Sequence, residues 1–410
     1  MRLRDDCNRI VAQSIRQVQP RQAVSRALAD RTFSGGQLLV VAVGKAAWAM
    51  ASAAFDQLGH EITGGMVITK YNHSQGPIGP LEIWEAGHPV PDENTFKATR
   101  RVLELTDGLT EKDTVLFLLS GGGSALFEAP LIAEAELLQL TRDLLACGAD
   151  IVEMNTVRKR MSGVKGGRFA QHCAPARVLA IVLSDIIGDP LDMIASGPAY
   201  PDSSTAQDAK QVVEKYRLTL SEKALGLLEH ETPKTLDNVE TVVTGSVREL
   251  CEAAAAACQS LGYETTVLTD CLTCQARDAG AFLAAIAQYH QGAGQSLAFL
   301  AGGETVVTLT GKGLGGRNQE IALGAAALLH GMHETAIFSF GSDGTDGPTD
   351  AAGGFVTGRT YNQLKEQGID PFEVLRNNDA YHALKACDGL IMTGATGTNV
   401  NDVACVLIRR

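Results

Sequence analysis

Positive charge is in short supply in this chain. Its 410 residues hold 35 Lys and Arg against 47 Asp and Glu, a formal net charge of −12, which leaves no extended basic face for a nucleic-acid backbone or an anionic lipid surface. Nucleic acid and membrane are therefore not expected as partners. No uninterrupted apolar run reaches the length of a bilayer span. Residues 1–30 are charged from the outset and carry helically spaced apolar positions (Ile10, Val11, Ile15, Val18) in place of an apolar segment with a cleavage site. The nine cysteines are odd in number and scattered, unlike a stapled secreted framework, so a cytoplasmic location is expected. Also missing are a Walker A loop, a G-x-S-x-G elbow, a second pair of ligands to complete a zinc site with Cys271 and Cys274, and any repeat of solenoid length.

What remains is an ordinary packed globule, 45% hydrophobic and 20% charged, long enough for two or three domains at roughly 150 residues each. Glycine is in excess: 43 residues, about one in ten, against a usual ~7%. Apolar runs at 37–43, 65–69, 114–119 and 177–183 read as strands, and 46–58, 95–107 and 133–147 read as helices. Strands that are apolar throughout and alternate with helices predict an α/β fold with a largely parallel sheet covered on both faces. Around 231–238 the periodicity lapses and Pro233 intervenes, which divides the chain into 1–236 and 237–410. The second half resumes with strands at 239–243, 264–268, 296–301, 305–310 and 336–340 and helices at 247–261 and 275–290; a last strand at 403–408 running antiparallel would make its sheet mixed.

Ligands of open α/β sheets gather beyond the carboxyl ends of strands, so polar turns directly after apolar runs are the candidates. Ser120, Gly121, Gly122, Gly123 and Ser124 form either an anion cradle of unobstructed amides or a tight turn that needs positive φ. Residues 311–316 match G-x-G-x-x-G and lead into Arg317, a guanidinium at a helix start, which suits a densely anionic group better than a nicotinamide. Thr396, Gly397, Thr398 and Asn399 offer either a second phosphate cradle or a self-bonded polar turn. Lys45 ends the first strand as a point charge. Asp185 and Asp189, and separately Asp343, Asp346 and Asp350, place carboxylates at strand ends, suiting Mg²⁺ or helix and turn capping. Asn155, Lys159 and Ser162 share a helical face within a basic stretch that is either a receptor for a small anion or a solvated surface. His88, between residues that include Pro89 and Pro91, is a general base or part of a rigid turn.

Taken in order, these residues resemble the glycerate 2-kinases whose C-terminal half is called the MOFRL domain. The resemblance runs from about residue 41 to 402 through Gly44-Lys45-Ala46, residues 87–92, 120–124, 155–167 and 184–189, Ser196-Gly197-Pro198, Gly302-Gly303-Glu304, and residues 313–320, 343–353 and 396–402. Three positions depart from the family pattern: Ala301 for serine, Ala395 for proline and Asn401 for an apolar residue. The resemblance implies an N-terminal Rossmann-like domain and a dissimilar MOFRL-type α/β domain, with the active site between them. It implies transfer of phosphate from ATP to the 2-hydroxyl of D-glycerate with Mg²⁺, and catalytic roles for Lys45 and Arg317. On that reading Ser120 to Ser124, Gly313, Gly315, Gly316, Thr396, Gly397, Thr398 and Asn399 hold nucleotide phosphates. Asp185 and Asp189 hold the metal, or Asp189 accepts the hydroxyl proton, while Asn155, Lys159, Lys165 and Ser196 receive glycerate. A monomer or small homo-oligomer is expected. The rival readings are an NAD(P)H-dependent hydroxypyruvate reductase, because of residues 311–316, and a non-catalytic sugar-acid sensor.

Overall fold

The computed structural model describes residues 2–33, 35–188 and 190–410. The chain forms two compact units: one from 23–184 and 189–244, the other from 1–22, 185–188 and 245–410. The division departs from the expected break at 236/237 in two ways. Residues 239–243 extend the first sheet, because they pair in parallel with the preceding strand. The opening helix Arg2–Gln17 joins the C-terminal unit, where Cys7, Ile10, Val11 and Ile15 share a core with Leu250, Cys251 and Ala254 of the helix Val247–Ser260.

The N-terminal unit is built on strands β1 (Leu38–Val43), β2 (Gly64–Lys70), β3 (Leu81–Ala86), β4 (Thr114–Leu119), β5 (Arg177–Val182) and β6 (Val239–Val243), all parallel, in the order 3-2-1-4-5-6. That is the Rossmann order, which reverses between β1 and β4 and opens a crevice beyond their carboxyl ends. β1 and β4 are buried almost throughout, as their unbroken apolar composition requires of strands covered on both faces. A separate helical layer packs Leu137, Leu140 and Leu144 against Met154, Val157 and Val212.

In the C-terminal unit, β7 (Glu264–Leu272), β8 (Leu297–Gly303), β9 (Thr335–Gly341), β10 (Gly353–Thr357), β11 (Leu390–Ile391) and β12 (Asp402–Ile408) form a mixed sheet ordered 11-10-9-12-8-7. β12 runs antiparallel between β8 and β9, as expected of the last strand, with Asp402 opposite both Gly303 and Gly341. The ends of β8 and β9 therefore converge on the start of β12. Residues 305–310 alternate in hydropathy but do not form a strand: Val306 makes a single bridge to Gln275, while the Thr310 amide donates to Asn378.

Candidate active site

At the β1/β4 switch point the two strand-end turns are tied together. The Lys45 amide donates to the Gly121 carbonyl at 2.9 Å, and Ser120 Oγ accepts from the Ala46 amide at 3.1 Å. Gly44 has φ +124°, and a Cβ there would lie 2.2 Å from Ser120 Oγ, so only glycine lets the turns approach so closely. A Cβ on Gly122 (φ +89°) would come within 3.0 Å of the His88 ring and 3.2 Å of Lys45 Cγ, which places both side chains against it. The amides of residues 121–123 find no acceptor among the described residues, and successive unpaired amides can take an anion. Burial, then Lys45, Lys70 and His73, hold the His88 pKa below the ordinary imidazole value, so the ring is neutral near pH 7.

Ser124 closes the turn. Its hydroxyl lies 3.1 Å from Ser196 Oγ, which donates to Asn155 Oδ1 at 2.9 Å. Ala195 and Ser196 both have positive φ, 51° and 63°, a strain that non-glycine residues keep only where the surroundings enforce it. Asn155 and Ser196 thus reach the turn as buried supports. Lys159 and Lys165 require correction as glycerate ligands. Lys159, 2% exposed, pairs with Asp202 at 3.0 Å and Asp192 at 3.5 Å. Lys165, fully buried, bonds the Phe127 carbonyl at 2.8 Å and Glu128 at 2.9 Å. Both ammonium groups are already neutralised inside the unit and cannot present charge to a substrate.

In the C-terminal unit, Arg317 opens the helix Arg317–Ala326. Its Nε donates to Asp402 at 2.5 Å, its Nη2 to the same carboxylate at 3.3 Å and its Nη1 to Glu304 at 2.7 Å. Burial opposes its charge, but the two carboxylates outweigh it and raise the guanidinium pKa above the ordinary value. Glu304 directly follows β8 and Asp402 begins β12, so the sheet topology builds this clamp. Sequence reasoning assigns neither residue a role; their place in the family-like stretches is the only signal.

The glycine loop before Arg317 is not an open phosphate cradle. The amides of Gly311, Lys312, Gly313 and Leu314 donate to Asn378, Asn377 and Asp379 at 2.8–3.2 Å. A Cβ on Gly313 would meet Asp379 at 2.4 Å, one on Gly315 would lie 3.2 Å from the Ala380 amide nitrogen, and one on Gly316 would meet Asp346 at 2.3 Å. These glycines admit neighbouring chain, and the Gly313 amide is spent on it, which corrects Gly313 as a phosphate ligand, whereas the amides of Gly315 and Gly316 have no acceptor among the described residues. Likewise Thr396 Oγ1 donates to the Ser342 carbonyl at 2.6 Å and Thr398 Oγ1 to the Val18 carbonyl at 2.9 Å, while Asn399 Oδ1 accepts from the Asn401 amide at 3.3 Å. The two hydroxyls of that turn are thus spent on neighbouring chain, although the Cβ position of Gly397 faces open space.

Asp185 follows β5 and engages its surroundings; Asp189 lies outside the described residues. Among the described residues no cluster of three or more His, Cys, Asp or Glu is assembled for a metal, and no helix is long and apolar enough to cross a membrane.

Residues 6–229 match a domain of unknown function, DUF4147, and residues 297–402 match the MOFRL family. A D-glycerate 2-kinase of Thermotoga maritima is 53% identical over 97% of both chains. A putative hydroxypyruvate reductase of Agrobacterium vitis is 40% identical over 91% of this chain and all of its own. A crystal structure of a Thermotoga maritima glycerate kinase superposes with a TM-score of 0.94, at 52% identity and 99% coverage of each chain.

Proposed function

The chain belongs to the MOFRL-type glycerate 2-kinase family, and from that premise we propose how its own residues carry the family's reaction. It transfers the γ-phosphoryl group of ATP to the 2-hydroxyl of D-glycerate, giving 2-phospho-D-glycerate and ADP. Phosphoryl transfer asks a protein chiefly for in-line positioning and neutralisation of charge. The observation that carries the residue assignment is the switch-point turn, where Lys45 stands beside the unopposed amides of residues 121–123.

In this reading Ser120, Gly121, Gly122, Gly123 and Ser124 receive phosphate oxygens of ATP, and Lys45 supplies a point charge to the transferred group. Arg317 is the cation that the C-terminal unit offers to phosphoryl transfer. Of its five N–H donors, three are engaged by Asp402 and Glu304, and the other two remain for phosphoryl oxygens while the carboxylates fix the plane of the fork. The neutral His88 imidazole can accept the hydroxyl proton, a role otherwise assigned to Asp189. Mg²⁺ usually binds through one or two carboxylates together with phosphate oxygens and water, so the hard oxygen donors of Asp185 and Asp189 fit it without a larger cluster. When bound, it would neutralise charge on the phosphates. The nine scattered cysteines are in keeping with a reducing, cytoplasmic setting.

The test is a pair of assays on one preparation: ADP release with D-glycerate, ATP and Mg²⁺, and NADH oxidation with hydroxypyruvate. Phosphorus NMR of the product identifies the esterified hydroxyl. NADH oxidation without ADP release would overturn the kinase reading.

A further inference from the structure

The helix Arg317–Ala326 lacks a cap of its own. Gly316 occupies its N-cap position and has no side chain to accept from the first amides, which in a buried setting would be left unsatisfied. The acceptor comes from elsewhere in the C-terminal unit. Asp346, 2% exposed, takes the Asn318 amide on Oδ1 at 3.1 Å and the Gln319 amide on Oδ2 at 2.8 Å, and also accepts from Asn318 Nδ2 at 3.3 Å. Gln319 Nε2 returns a bond to Thr349 Oγ1 at 2.8 Å. The fit is close on both sides: a Cβ on Gly316 would lie 2.3 Å from Asp346 Cγ, and one on Gly347 would lie 2.6 Å from the Gly315 carbonyl oxygen.

We propose that Asp346 is a positioning residue for phosphoryl transfer, holding Arg317 in place by capping, from a separate turn, the helix that Arg317 begins. The proposal rests on the reading of Arg317 as a group that neutralises the transferred phosphoryl. Arg317 is then fixed twice: at its guanidinium by Asp402 and Glu304, and at its backbone by Asp346 one and two residues further on. Without the second tie the clamp can shift with the helix start, and displacements of about 1 Å cost about 10²-fold in rate.

The cap needs both carboxylate oxygens as acceptors. Burial pushes the Asp346 pKa up to about 7; the backbone amides of Gln319 and Asn318 oppose this, and the charge of Asp402 on β12 adds to it. The helix presents the neutral Asn318 and Gln319 to this carboxyl, the preceding loop presents Gly316, and the charge that bears on it is that of Asp402. Protonation turns one acceptor into a donor and breaks half the cap, so kcat falls as pH drops through that value.

The experiment measures kcat of the full chain with ATP, Mg²⁺ and D-glycerate for wild type, Asp346→Asn, Arg317→Ala and the double variant. Asp346→Asn is expected to lower kcat by about 10- to 10²-fold and to lose the pH limb near 7. In the Arg317→Ala background it should cost less than about threefold, because a residue acting through another adds nothing once that other is gone. Equal losses in both backgrounds, or an unchanged kcat for Asp346→Asn, would overturn the proposal alone. Wild-type kcat in Arg317→Ala would overturn the reading of the arginine and the proposal with it. Should Asp346→Asn fail to fold, Gly316→Ala carries the same test, since its Cβ displaces the carboxylate without removing it.

Discussion

Replacing Lys159 by methionine separates a structural lysine from a substrate-binding one. The side chain is 2% exposed and its ammonium lies 3.0 Å from Asp202, so the variant removes one partner of a buried ion pair, a change that costs about 3–5 kcal/mol. Asp202 is not stranded, because it keeps Arg160 at 3.4 Å, the Thr232 hydroxyl at 2.7 Å and the Ser204 amide at 3.0 Å. The low end, about 3 kcal/mol, is therefore expected, and at about 2–4 °C per kcal/mol for a unit of this size the melting temperature should fall by about 6–12 °C. The sign of the pH dependence follows from Asp202. Burial raises its pKa, but the Thr232 hydroxyl and Lys159 outweigh this and leave it below the ordinary carboxylate value. Its stabilisation is thus present above the unfolded pKa and is lost as pH falls through the folded one. Losing Lys159 moves that loss to higher pH. Calorimetric melts at pH 7 and in acid, with steady-state kinetics at 25 °C, measure both effects, and KM for D-glycerate should stay within about twofold, since no ammonium reaches the substrate. An unchanged melting temperature with KM raised tenfold would refute the argument and return Lys159 to the glycerate site.

Arg317→Ala should lower kcat by roughly 10³–10⁵, the range for a cation that neutralises a transferred phosphoryl; a loss below tenfold in a folded variant, read by ADP release, would end that assignment. Gly122→Ala forces a Cβ to 3.0 Å from the His88 ring and 3.2 Å from Lys45 Cγ at φ +89°. It should cost about 1–2 kcal/mol in strain and about 10²-fold in kcat; unchanged turnover would show that neither side chain needs its present place. Burial lowers the Lys165 pKa to about 8, against the pull of Glu128. The unfolded chain therefore holds the extra proton up to about 10.4, and the stability of wild type relative to Lys165→Met should rise between about pH 8 and 10. Urea midpoints that keep a constant difference across that range would contradict it.

The strands that position the site are legible because burial on both faces leaves them apolar throughout, as in β1 and β4. β3 is not legible, since Leu-Glu-Ile-Trp-Glu-Ala mixes polar and apolar residues at a half-covered sheet edge. β10 opens on two glycines that argue against a strand until Gly353 is seen against Ser339, where a Cβ would lie 1.9 Å from the carbonyl oxygen. The switch-point turn follows from strand-end logic alone. The basic stretch 155–168 misleads for a plain reason: the partners that neutralise it, Glu128, Asp192 and Asp202, stand tens of residues away and belong to no local pattern. The same distance hides the clamp, for Arg317 and Asp402 are 85 positions apart and meet only because β12 inserts between β8 and β9.

That the C-terminal unit includes residues 1–22 has a consequence for synthesis. The amphipathic helix Arg2–Gln17 leaves the ribosome long before the helix whose apolar face it covers, which begins only at Val247. Throughout the intervening translation, while the parallel sheet is able to assemble, this helix stays an unburied greasy surface on the nascent chain. Transiently exposed apolar surface of this kind is aggregation-prone until it is covered, so the C-terminal unit completes its core only when this helix docks on Val247–Ser260.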